Sequence, residues 1–159
     1  MKLRPAISKD QDLIINLIGS VYEEYGDRIF LEGADKDLTD VNSFYREKGG
    51  EFIVLVCNGE ISGTHALFPN QENKEVVNFR RLYLKPEFRG RQYGEELMKW
   101  AIDWTIKHGF KKVELWSDVR FKRAHNFYKR YGFKKGKHPR KMFDGAMPYE
   151  EFFFHLDLK

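Results

Sequence analysis

The stretch RRLYLKPEFRGRQYGEELMKW, Arg80–Trp100, decides how the rest of the chain is read. Its first five residues close a run of strand-forming side chains that begins near Glu75. Pro86 has no amide hydrogen and stops the ladder, so the strand ends at Leu84. From Gly94 to His108 the apolar positions Leu97, Met98, Ala101, Ile102, Trp104 and Ile106 fit an amphipathic helix, and Gly109 is its stop. A strand, a glycine-containing turn and a helix start leave several backbone N–H groups without carbonyl partners. Such a place binds anions, and with Arg89 and Arg91 beside it the anion fits a phosphate or pyrophosphate. The turn is neither a Walker loop, because no Gly-Lys-Ser/Thr follows, nor a dinucleotide loop, because Gly90 and Gly94 have the wrong spacing.

Outward from this stretch, helix and strand periods alternate. Lys2–Ala6 reads as a short strand. Ser8 or Asp10 caps a helix carrying Leu13, Ile14, Leu17, Ile18 and Val21, and Gly26 ends it. A second helix is expected from Asp37 to Glu47, closed by Gly49 and Gly50. EFIVLVC and ISGTHAL flank Asn58-Gly59, a pair that suits both left-handed positions of a type I′ hairpin turn. Strand KKVELWS, a helix from Arg123 to Tyr131, an irregular segment from Gly136 to Pro148 and a final strand EFFFHLDL complete the chain.

The 159 residues fit one domain, 1–159, and 42% hydrophobic with 16% aromatic residues is enough for one core. A net charge of +4 does not by itself mark a nucleic-acid protein. The charge is uneven, however. Glu23–Asp40 holds seven acidic and two basic residues, a charge of −5, while Arg120–Lys141 holds ten Lys or Arg and no acid. The single Cys57 permits no internal disulfide, and together with the absence of a long apolar run it leads us to expect a cytoplasmic protein with no membrane partner. No Cys/His/carboxylate spacing suggests a metal.

Arg89, Gly90, Arg91, Gln92, Tyr93 and Gly94 resemble the Arg/Gln-x-x-Gly-x-Gly/Ala pyrophosphate loop of the GNAT superfamily of acetyl-CoA-dependent N-acetyltransferases, with Gln92 in place of the middle glycine. RRLYLKPEFRG is similar to that family's central strand, and RAHNFYKRYGF to its A-x-x-F-Y-x-x-x-G-F helix. The resemblance implies an α/β fold: a mixed, largely antiparallel central sheet split around a cofactor cleft, with helices on both faces. It also implies acetyl transfer from acetyl-CoA to a primary amine by direct attack in a ternary complex. The loop residues would hold the pyrophosphate, Leu82, Tyr83 and Leu84 the pantetheine arm and thioester, and bases of the 120–141 segment the 3′-phosphate.

By the same resemblance, Tyr128 is the phenol that reprotonates the departing thiolate. Asn78 stands where a glutamate often acts as base, and Phe121 where an asparagine often contacts the cofactor. The candidates for the base are therefore Asp118, just beyond KKVELWS, and Glu75, at the start of the central strand. The acidic 23–40 segment, on the acceptor side of the family's fold, favours a cationic amine. Two other readings compete: a CoA-binding regulator without catalysis, and a nucleic-acid-binding protein using the basic segment, which carries no recognisable RNA or DNA motif. EFFFHLDL is a candidate homodimer seam or a buried strand.

Overall fold

The computed structural model describes residues 1–158. Its strands are β1 (Lys2–Pro5), β2 (Glu51–Cys57), β3 (Glu60–Pro69), β4 (Val76–Leu84), β5 (Lys112–Asp118), β6 (Lys134–Lys135), β7 (Arg140–Met142) and β8 (Tyr149–Asp157). The α-helices are α1 (Gln11–Glu23), α2 (Val41–Tyr45), α3 (Tyr93–Lys107) and α4 (Lys122–Arg130). One sheet runs β1-β2-β3-β4-β5-β8-β6, with β7 also on β8. Its contacts are antiparallel except between β4 and β5.

Both faces are covered. Ile14, Leu17, Ile18 and Val21 of α1 and Val41 and Tyr45 of α2 pack with Phe52, Val54 and Ala66 on one side. Met98 and Ala101 of α3 and Tyr128 of α4 pack with Val77, Phe79, Val113, Leu115 and Phe154 on the other. The 3.6-residue spacing of these side chains on the helices and the two-residue spacing on the strands produce this sandwich. The Asn58-Gly59 turn forms as its residue types demand, with φ of 52° and 78°. Cys57 is a buried core residue.

β4 and β5 pair only through Val76–Asn78 against Lys112–Glu114, and beyond that they do not pair. On the other side of β4 the register with β3 slips between Thr64 and Ala66, so that Arg81 and Leu82 together oppose His65. Arg81 sits at φ 58°, and the Thr64 hydroxyl donates to its carbonyl at 2.7 Å. A bulge of this kind bends its strand and increases the local twist. The sheet is thus split along the β4–β5 line, which opens the cleft.

Two sequence expectations are corrected. The helix expected from Asp37 to Glu47 is a 3₁₀ turn over Lys36–Thr39, the short α2, and a second 3₁₀ turn over Arg46–Lys48. The break is at Asp40, with φ −158°, whose carboxylate accepts from the Ser43 amide and hydroxyl at 3.1 and 2.9 Å. The irregular 136–148 segment contains β7, which pairs with Tyr149–Glu151. β8 is no free edge, because β5 lies along one side and β6 and β7 along the other. Of the two readings of EFFFHLDL, the strand's place inside the sheet accords with the buried strand.

Candidate functional site

The split sheet frames a cleft of ≈ 990 Å³, lined by β4, β5, α4, the loop before α3, the connection after α1 and the 142–149 segment. Gly90 (φ 74°) and Gln92 (φ 69°) bracket Arg91 in left-handed conformations. Among the described residues, no amide from Gly90 to Glu95 donates to a carbonyl or side chain. These open donors meet the start of the 15-residue α3, whose dipole adds positive potential at that end. The donor set fits a pyrophosphate. On the facing helix, Arg123, Phe127 and Arg130 line the same end of the cleft.

Arg89 is not free to clamp an anion. Its guanidinium is bidentate to Glu24, at 2.7 and 2.8 Å, and its Nε donates to the Leu84 carbonyl at 3.2 Å. The side chain instead braces the loop against the end of α1. Arg91 is exposed and stands outside the cleft lining.

At the middle of the cleft, Leu82, Tyr83 and Leu84 lie on the part of β4 that pairs with β3 but not with β5, and Ala124 and Tyr128 of α4 line the same cleft. Tyr128 is 7% exposed, with its ring 5.6 Å from Phe133 and 5.4 Å from Phe154. Burial pushes the phenol well above its ordinary value, so it is protonated at neutral pH. Phe121, which replaces the asparagine frequent in the family, packs its ring 4.9 Å from Tyr25 and 6.2 Å from Tyr83.

The two carboxylate candidates part company. Asp118 lines the cleft, but its oxygens accept from the Arg120 amide and from Arg120 Nε at 2.9 Å and from its terminal nitrogen at 2.6 Å. Glu75 precedes β4, pairs with Lys111 at 3.3 Å with a 63% exposed side chain, and does not line the cleft. A third carboxylate does. Glu114 on β5 is in direct register with Asn78 on β4, and both line the cleft. No sequence signal pairs residues 36 apart on neighbouring parallel strands, so this one was not readable.

The end of the cleft beside α1 and the 30–37 connection is organised by Arg81, a residue that sequence reasoning also missed. The Arg-Arg pair inside an apolar strand was the available signal. Arg81 is 9% exposed. Its guanidinium donates to Asp37 at 3.0 and 2.6 Å, to Asp35 at 3.0 Å, to the Tyr22 hydroxyl at 2.8 Å and to the Ala34 carbonyl at 3.1 Å. Tyr45 donates a short hydrogen bond to Asp37. Burial alone would raise the Asp37 carboxyl, but Arg81 outweighs it and holds the group below its ordinary range. The network fastens the 30–37 connection onto the bulge, and the Ala34 amide in turn donates to the Asp144 carbonyl at 2.8 Å, joining the two walls.

These contacts weaken the acidic field on which a cationic acceptor was expected without cancelling it, since Asp35 and Asp37 share the one Arg81 charge and Arg120 is shared with Asp118. Of the acids in the −5 segment, Glu24 pairs with Arg89, Asp27 pairs with Arg120, and Asp35 and Asp37 share Arg81. The basic segment is partly consumed too: Arg120 holds Asp118, Arg140 holds Glu151, and Lys135 and Arg140 lie over the rings of Phe152 and Trp116.

Comparison with known proteins agrees with this architecture. The family model described as Acetyltransferase (GNAT) family matches residues 18–133. An uncharacterized N-acetyltransferase of Methanocaldococcus jannaschii is 38% identical over 94 residues, 57% of this chain and 41% of that protein, so the chain spans less than half of that relative. An aminoalkylphosphonate N-acetyltransferase of Salmonella typhimurium is 28% identical over 138 residues, 84% of this chain and 85% of its own. A GNAT-family acetyltransferase structure from Staphylococcus aureus superposes with TM-score 0.86 at 19% identity, covering 99% of both chains. A putative acetyltransferase of Salmonella typhimurium, solved with acetyl-CoA, superposes with TM-score 0.77 at 16% identity over 100% of this chain and 94% of that one.

Proposed function

Because this chain belongs to the GNAT family of acetyltransferases, we propose that it transfers the acetyl group of acetyl-CoA to a primary amine by direct attack within a ternary complex. The observation that carries this reading is the splay of β4 from β5, with open amides at one end and a buried phenol at its middle. A relative named for aminoalkylphosphonates and a fold neighbour solved with acetyl-CoA support an amine acceptor and this donor.

Each part of the cleft takes one task. The amides of Gly90, Arg91, Gln92, Tyr93 and Gly94 hold the pyrophosphate, Arg89 keeps their loop in shape, and Arg123 and Arg130 lie on the same side for further phosphate. The exposed β4 edge at Leu82, Tyr83 and Leu84 takes the pantetheine arm, and a β4 amide facing the thioester oxygen stabilises the charge that develops there. The donor supplies an activated acetyl carbon.

A typical alkylamine, with a pKa of about 10.4, must lose a proton before it attacks. We assign that removal to Glu114, directly or through water, because Asn78 lacks a basic group, Glu75 lies outside the cleft and Arg120 holds Asp118 at 2.6 Å, whereas Glu114 has only the looser pair with Lys112 at 3.5 Å. As the new C–N bond forms and the C–S bond breaks, the thiolate takes its proton from the Tyr128 hydroxyl.

Titration calorimetry with acetyl-CoA, followed by thiol release in the presence of an amine panel, tests the reading. Binding with amine-dependent thiol release is expected. Binding without release from any amine would instead make the chain a CoA-responsive regulator.

A further inference from the structure

The cleft's arginines are not alike. Arg81, Arg89, Arg120 and Arg140 each spend their donors on carboxylates of the chain, at 2.6 to 3.1 Å. Arg80 does not. Among the described residues its guanidinium makes no hydrogen bond, and its one ion pair is at 4.0 Å to an Asp37 oxygen that already accepts from Arg81 and Tyr45. Yet the side chain is held in place: it is 34% exposed and its guanidinium lies 5.4 Å over the Phe44 ring, which itself stacks on Phe68. A planar fork fixed on an aromatic face, partly desolvated and with its donors unused, is suited to a bidentate oxyanion.

Its neighbours define the rest of the ligand. Arg80 and Asn78 are two residues apart on β4 and so share a face, a separation of about 7 Å along the strand. Glu114 is beside Asn78 in register, and exposed Arg28 lines the same end. We propose that the acceptor is a small zwitterionic amine whose oxyanion, a phosphonate or a carboxylate, is bound by Arg80 while its amino group lies at Asn78 and Glu114. This inference rests on the acetyltransferase reading and narrows its substrate class. It places selection on hydrogen-bond capacity rather than on net charge: Asp35 and Asp37 share the single Arg81 charge, and Arg80, 4.0 Å from Asp37, offsets the remaining one while keeping its own hydrogen-bond donors open.

The test compares 2-aminoethylphosphonate, β-alanine and aspartate with propylamine and putrescine at saturating acetyl-CoA. The oxyanion-bearing amines should exceed the other two in kcat/KM by roughly tenfold or more, the value of one charge-assisted contact. Preference for phosphonate over carboxylate, or the reverse, identifies the oxyanion and supports the proposal either way. Arg80→Ala should raise KM for these substrates by roughly 10- to 100-fold while kcat moves less, with Arg80→Lys between. Equal or better use of putrescine or propylamine by the unaltered protein overturns the inference, as does an Arg80→Ala loss of the same size for every amine. Failure to bind acetyl-CoA, or to acetylate any amine, would sink the acetyltransferase reading itself and this proposal with it.

Discussion

Gln92 shows how much one residue costs when backbone geometry is dictated by a site. It adopts φ 69°, in a position that glycine would occupy without strain, because the loop must turn its amides outward before α3 begins. A non-glycine residue there stores about 1 to 2 kcal/mol, partly offset by the smaller chain entropy lost relative to glycine. Gln92→Gly should therefore stabilise the protein by about 0.5 to 1 kcal/mol in urea denaturation, while the outward amides remain. A destabilised variant would mean that the Gln92 side chain holds the loop. Tyr128 permits a cleaner separation of packing from chemistry. Tyr128→Phe keeps the ring against Phe133 and Phe154 and removes only the hydroxyl. Turnover should fall at least tenfold, because general acids contribute roughly 10²- to 10⁴-fold, with the acetyl-CoA dissociation constant little changed. Full turnover with a lowered melting temperature would make Tyr128 a packing residue.

At the scale of elements, the 30–37 connection has little apolar surface of its own and is held to β4 by the Arg81 network. Sequence periodicity suggested a continuous helix beginning at Asp37. The structure instead turns the chain so that Asp35 and Asp37 both face one guanidinium, since a carboxylate buried without a cation would cost far more than a broken helix. Arg81→Met should leave two buried carboxylates unmatched and destabilise the protein by about 3 to 5 kcal/mol. Denaturant titration at neutral pH measures it, and a loss below about 1 kcal/mol would show that the network is not needed to hold this wall. The strands were more legible than the connection: the Asn58-Gly59 turn, the stop at Pro86 and the period-two runs follow from local steric rules. The bulge opposite His65 was not, because a register slip depends on the partner strand.

For the whole molecule, acid stability follows from what is buried. His65 is fully covered, its Nδ1 lies 3.3 Å from the Leu97 carbonyl, and its Nε2 has no partner. Burial pushes its pKa down to about 4. Between the unfolded value of about 6.5 and that folded value, the unfolded chain binds the extra proton, so stability falls as pH falls through this window. The protein should be about 2 kcal/mol less stable at pH 5 than at pH 7 from His65 alone, with His125, also lowered by burial, adding to the slope. His65→Leu should reduce the difference by that amount, and an unchanged difference would place the titration elsewhere. Below about pH 4 the depressed carboxyls take over: Asp37 and Asp10, held down by Arg81 and Arg4, contribute stability that is complete above the ordinary carboxylate value and lost as pH falls through their lower folded values.

The sequence by itself determined the order of elements, the two-faced sandwich, the anion-binding turn before α3 and the family to which the chain belongs. These depend on local periodicity, on glycine and proline sterics, and on residues close together along the chain. Only the tertiary structure decided which charges remain available. Arg89 was read as a phosphate clamp and is braced against Glu24, 65 residues away; the acidic 23–40 segment was read as a field and is partly offset by Arg81, Arg89 and Arg120. Glu114 came to lie beside Asn78 only when β5 paired with β4. A charge's effect depends on its distance from its counter-charge and on its burial, and both are set by contacts between distant parts of the chain.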